Sequence, residues 1–346
     1  MTALLTAPVA LRRPRLGNLQ VAGLAVGAVA VTALLFAVTP AQGTVDFIMV
    51  AYLVFLAAQT TASYLVEGAR AARNRLALTL MVSSVALALV PLVAVLSYTV
   101  QKGAAAISPG FLTHSMRGVG PLDAGGGAYH AIIGTVEQVF IASLISIPLG
   151  LLVAIYLVEY GRGRFAWWVR FFVDVMTGIP SIVAGLFLFA FWVLGLHKGF
   201  SGLAAGMALA ILMLPIVVRA SEEMLKLVPN DLREASWALG VPRWRTIVSV
   251  VLPAASAGLT TGVMLAIARV TGETAPLLLT AFGFDAIRTN PLHGAQSGLP
   301  LYVFAQAGSA FTVAINRAWA GALTLIVIVL LLTVAARLLT RRNRLV

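Results

Sequence analysis

Residues 221–245 read SEEMLKLVPNDLREASWALGVPRWR, a polar stretch set between two long apolar runs at about 200–218 and 253–282. Pro229 has no backbone N–H and ends the incoming helix. Asn230 or Asp231 suits the N-cap of a new helix. Asp231 and Glu234 stand at capping-box spacing, with Asp in place of the usual Ser or Thr. Leu232, Ala235 and Leu239 then fall on one helix face. Gly240 suits the left-handed position that ends a helix, and Pro242 the first turn of the next. The stretch therefore specifies a short helix, a tight turn and a helix that re-enters an apolar environment. Two uses stay open on these grounds alone: an amphipathic helix lying on lipid, or a docking helix for a cytoplasmic partner.

The flanking composition fixes the environment. Of 346 residues, 60% are hydrophobic and 10% charged, and the mean hydropathy is +0.97. Soluble domains carry about 25% charged residues, so this chain lacks the polar surface to cover itself in water. Apolar runs long enough to span a bilayer, about 20 residues each, occur at 16–38, 46–66, 76–100, 131–158, 171–196, 200–218, 253–282 and 318–339. The sequence thus predicts an all-α, polytopic membrane helix bundle crossing about eight times. The fourth and seventh runs exceed the needed length. Pro148 and Gly150 are expected to interrupt one, and Gly272 and Pro276 the other. The first run, after Arg12, Arg13 and Arg15, is too long for a signal-peptide core. Thr39-Pro40-Ala41 is a poor cleavage site, so an uncleaved span is expected.

The net charge of +12 does not indicate nucleic acid, because the cations flank the apolar runs and set topology. With the N-terminus in the cytoplasm, that side receives Arg12, Arg13 and Arg15, Arg70, Arg73 and Arg75, and Arg162, Arg164 and Arg170. It also receives Arg219, Lys226, Arg233, Arg243 and Arg245, and finally Arg337, Arg341, Arg342 and Arg344. Lys102, Arg117, Lys198, Arg288 and Arg317 fall outside, and Arg269 stays within a span. Both termini are therefore expected in the cytoplasm. The outer loops, about 101–130 and 284–317, are too short for separate cores, and the Gly-rich 118–127 reads as a flexible connection.

Several chemistries are excluded. There is no cysteine, hence no disulfide or thiolate chemistry. His114, His130, His197 and His293 show no metal-ligand spacing. No GxxxxGK[ST] loop occurs, and Lys102, Lys198 and Lys226 are the only lysines. ATP hydrolysis by this chain is not expected.

Glu234-Ala235-Ser236, then Gly240, Ile247 and Leu252-Pro253, resemble the EAA loop of ABC importer permeases, with Ser236 in place of the second Ala. Gly134-Thr135, Pro148-Leu149-Gly150 and 154–160 look like the start of a type I importer permease core. Gly178 to Leu186 and Ala266 to Leu278, with its Gly-Glu-Thr-Ala-Pro-Leu-Leu run, resemble the phosphate-transporter permeases of the PstA family. The resemblance covers about 76–340. It implies a six-span type I permease core over 75–346, preceded by an extension, 1–74, with about two extra helices. It implies that Glu234, Ala235, Ser236 and Gly240 lie on the coupling loop, about 220–250, that docks into an ATPase. It further implies a PstC-type second permease, a PstB-type ATPase dimer binding ATP and Mg, and a PstS-type phosphate-binding protein. No cofactor is expected in this chain. A permease for another oxyanion, molybdate or sulfate, and an ion-coupled secondary transporter stand as alternatives.

Charges inside lipid are costly and point to function. Arg170 and Asp174, Arg219 and Glu223, and Arg269 and Glu273 each stand four apart, so each pair would share a helix face. One reading is structural ion pairs, with Arg170 and Arg219 snorkelling at span ends. The other is a substrate path in which Arg269, Arg219 and Arg170 offer donors to an oxyanion. Glu273, Asp174 and Glu223 would then hold those arginines when the path is empty.

Overall fold

The structure, a computed structural model, describes residues 15–39 and 43–342. Arg12, Arg13, Arg344, Pro40 and Ala41, and the side chains of Arg337, Arg341 and Arg342, lie outside the described residues. All elements are helical apart from two isolated bridges. The chain divides into two compact units, Met1–Leu96 and Ser97–Val346.

In the first unit α1 (Asn18–Val38) and α2 (Thr44–Glu67) pair, with Phe36 edge-on to Phe47 at 5.3 Å. Gly68, at φ 95°, breaks the chain before α3 (Ala69–Ala106). Glu67 closes this corner. It accepts from Leu16 N at 2.7 Å and pairs with Arg75 at 2.7 Å. α3 runs on through Pro91 and beyond the expected run 76–100.

The second unit holds α4 (Pro109–Thr113), α5 (Tyr129–Ile155), α6 (Gly163–Thr177), α7 (Ser181–Leu188) and α8 (Gly202–Lys226). Then follow α9 (Asn230–Ala238), α10 (Arg243–Thr246), α11 (Leu252–Thr271), α12 (Ala275–Thr280), α13 (Leu299–Ala307) and α14 (Thr312–Arg342). Among the described residues seven helices are long and apolar enough to cross a membrane. An eighth crossing is formed by the bent pair α6–α7, if that pair is one span.

Three expected spans differ in detail. The run 171–196 is not one straight helix: α6 and α7 meet at 102°. Pro180 removes a donor and disfavours helix at Ile179, so the ladder stops at Thr177. Phe165, Trp167, Trp168, Phe171 and Phe172 give α6 an exposed aromatic face, with Ala166 and Val173 buried on the other side. Pro148 does not interrupt α5; the irregularity comes later, as a π-turn over Tyr156–Tyr160. The seventh crossing starts early, at Arg243, and stops at Gly272, with Pro276 in the first turn of α12 as the sequence suggests.

The core lies where α5 and α8 cross, built from small residues as expected where lipid supplies no hydrophobic drive. Ala142, Ala205, Leu209, Ala210 and Met213 are buried there, and Ser146 Oγ donates to Ala210 O at 3.0 Å. Gly150 allows the approach, since a Cβ on it would stand 2.7 Å from Val217 Cγ1. Nearer the start of α5, residues 296–299 are held by polar contacts. Leu299 N donates to Thr135 Oγ1 at 2.7 Å, and Gln138 Nε2 to Gln296 Oε1 at 3.1 Å.

Candidate functional site: a coupling helix and an uncompensated arginine

The polar stretch folds largely as read. α8 ends at Lys226, Pro229 precedes α9, and Gly240 adopts φ 77° with Val241 N donating to Ser236 O at 3.2 Å. The capping box is absent. Pro229 takes the N-cap position, and Asn230 Oδ1 instead accepts from Arg233 Nη1 at 3.3 Å. Pro242 is the N-cap of α10, one position before the expected first turn.

The polar face of α9 points inward. Arg233 is buried, pairing with Glu159 at 2.8 Å and donating to Val228 O at 2.6 Å and Leu225 O at 3.0 Å. Ser236 is also buried, its Oγ 2.9 Å from Thr246 Oγ1. The hydroxyl at this place thus ties α9 to α10, which Ala would not do. The outward side is mixed: Leu232 and Ala235 are exposed beside the charged Asp231 and Glu234, and Leu239, just past the helix, is 83% exposed. Bare apolar residues flanked by free carboxylates suit a surface that another protein covers.

Next to it lies a charge network that rearranges two of the three expected pairs. Glu222, 1% exposed, receives Arg219 Nη1 at 2.8 Å, Lys226 Nζ at 3.1 Å and Arg170 Nε at 3.4 Å. Arg219 also binds Asp174, and Lys226 binds Glu223 at 2.9 Å. Arg170 therefore does not pair with Asp174, nor Arg219 with Glu223. Long-range contact between α6 and α8 overrides the spacing along each helix. Three cations face three carboxylates, so the network is balanced and clamps α6 to α8. The central residue, Glu222, was not singled out by the sequence. Its signal was there, since it stands three after Arg219 and four before Lys226, the favourable order on a helix.

The third pair fails for a different reason. α11 ends at Thr271, so Glu273 lies beyond the helix, and no ion pair joins it to Arg269 among the described residues. Arg269 is exposed. Its neighbours Ala266 and Val270 are buried in one cluster with Met213 and Val217, in the middle of α8. Arg269 thus sits in the last turn of α11, beside the middle of α8, on an exposed line with Thr261 and Leu265.

The chain matches the family described as "Binding-protein-dependent transport system inner membrane component" over residues 146–345. Its fold is similar to solved ABC transporter membrane subunits. One is from the MetNI methionine transporter (TM-score 0.51, 20% identity, 68% of this chain and 99% of that one). Another is from a bacterial transporter importing alginate (TM-score 0.52, 13% identity, 78% and 96%). Fold and family match together define an integral membrane protein of the type I ABC importer permease class. Curated relatives narrow this further. The chain is 46% identical to phosphate transport system permease protein PstA 1 of Mycobacterium tuberculosis H37Rv, over 80% of this chain and 91% of that one. It is 41% identical to PstA of Yersinia pestis, over 80% and 92%. The chain belongs to the binding-protein-dependent transport system inner membrane component family, within its PstA branch.

Proposed function

We propose that this chain is one permease subunit of an ATP-driven inorganic phosphate importer and forms half of its path by alternating access. The observation that carries the reading is Arg269. A guanidinium packed beside the middle of a spanning helix, exposed and without a carboxylate among the described residues, is too costly to leave against lipid. A second protein surface and a polar path must cover it. The guanidinium fork matches a phosphate oxyanion, and the anion replaces lost hydration with fixed donors. The names of the PstA relatives support phosphate as the substrate.

Arg219 and Arg170, partly exposed and already shared with Glu222, are proposed as weaker donors nearer the α9 end of the path. Asp174, Glu223 and Glu273 limit how tightly the anion is held along it.

The outward side of α9, with its bare apolar residues, supports docking of a PstB-type ATPase dimer, which would bind the ATP and Mg; this chain acts as a transport subunit. A PstC-type permease covers the Arg269 face, and a PstS-type binding protein delivers phosphate on the opposite side. The distribution of Lys and Arg supports both termini in the cytoplasm of a bacterial cell membrane.

The test is uptake of labelled phosphate at low external concentration, in cells lacking the chain and in cells with it restored. Uptake should fall on deletion, return on restoration, and collapse on ATP depletion but not with an uncoupler at held ATP. Unchanged uptake in cells lacking other phosphate carriers would remove the substrate assignment.

A further inference from the structure

A second cationic site lies between the end of α3 and the start of α14, away from α9 and Arg269. It is a cleft of about 410 Å³ lined by Lys102, Ser108, Gly125, Asn316 and Arg317, among others. Arg317 is 6% exposed. Its Nε donates to Gly125 O at 2.9 Å and its Nη2 to Asp123 O, but Nη1 has no partner. Among the described residues no carboxylate pairs with Arg317 or Lys102. The nearby Asp123 carboxylate is turned to Gly120 N, at 2.7 Å.

The placement is imposed by packing. A Cβ on Gly103 would stand 2.6 Å from Leu323 Cβ and 2.8 Å from Trp319 O, so α3 and α14 touch here. That contact brings Lys102 and Arg317 to one cleft. Tyr98 and Trp319 meet edge-to-face at 5.0 Å, and Lys102 Nζ lies 5.7 Å from the Tyr98 ring centre. Such amphipathic aromatics mark the membrane–water boundary, which sets the cleft at headgroup level. A buried guanidinium with a free N–H and no counter-charge is unfavourable; an anion in the cleft removes that cost.

We propose that this cleft binds a phosphate group, with Arg317 offering its free N–H and Lys102 a mobile point charge. The group comes either from an anionic phospholipid headgroup or from free phosphate, and the headgroup-level aromatics favour the lipid. This inference does not depend on the transport reading.

The experiment is thermal unfolding of the purified full chain in detergent, titrated separately with phosphatidylglycerol, phosphatidylcholine and inorganic phosphate. Binding to the folded state raises the midpoint with concentration. Phosphatidylglycerol should raise it and phosphatidylcholine should not. The rise should be lost in Lys102→Ala and kept in Lys102→Arg. Lys102 is exposed, so these variants fold even if Arg317→Ala, which frees the Asp123 and Gly125 carbonyls, does not. A Lys102-dependent rise with inorganic phosphate alone assigns the source to the free ion. No rise with either, an equal rise in Lys102→Ala, or an equal rise with phosphatidylcholine overturns the site.

Discussion

Arg233 of α9 donates to Glu159, in the π-turn that follows α5, from Nη2 at 2.8 Å and from Nε at 3.0 Å, and both side chains are nearly buried. The pair joins residues 74 apart in sequence and ties α9 to the turn after α5. Removing one partner of such a pair leaves an uncompensated buried charge, at a cost of about 3–5 kcal/mol. Arg233→Ala should therefore lower the thermal midpoint and uncouple transport together. Glu159→Gln keeps an acceptor and should lose less. Unchanged midpoints in both variants would show the pair to be dispensable.

Glu222 and Glu223 offer a sharper contrast. They are adjacent, yet the buried Glu222 carboxylate contacts three partly exposed cations while the Glu223 side chain is mostly exposed. Glu222→Ala is expected to destabilise by about 3–5 kcal/mol, and Glu223→Ala by less than about 0.5 kcal/mol. Expression and unfolding midpoints of the two variants, measured side by side, check this ordering.

Gly240 is open to solvent on its Cβ side, with nothing within 4 Å, so its requirement is conformational alone. An L-residue at φ 77° costs roughly 1–2 kcal/mol. Gly240→Ala should weaken the turn after α9, and Gly240→Asn should recover part of the loss, since Asn tolerates this region better. The measurement is ATP hydrolysis stimulated by the assembled transporter. Equal activity in the two variants would exclude backbone conformation as the cause.

Arg269→Ala should abolish phosphate uptake while leaving the unfolding midpoint nearly unchanged, because the side chain is exposed and makes no ion pair among the described residues. Arg269→Lys keeps the charge but not the fork and should retain partial uptake. Full uptake in Arg269→Ala, with the complex assembled, removes the residue from the path.

Much of this was legible in residue order. Pro229 and Gly240 act through their own backbone limits, one lacking an N–H and the other free to turn left-handed, and such limits hold wherever the chain goes. Apolar run length marked the crossings for the same reason, since a bilayer sets a fixed thickness. The bend at Pro180 was readable in principle from the same rule, but hydropathy alone continues smoothly across it.

Tertiary structure decided the partners. Arg170, Arg219 and Arg269 each precede an acid by four, and not one of those pairs forms. α6 brings Arg170 and Asp174 against α8, where the buried Glu222 competes more strongly, and α11 ends before Glu273. Spacing along a helix determines which side chains share a face. Which charge each one meets depends on what packs against that face, and only the fold brings residues 45 apart, such as Asp174 and Arg219, into contact.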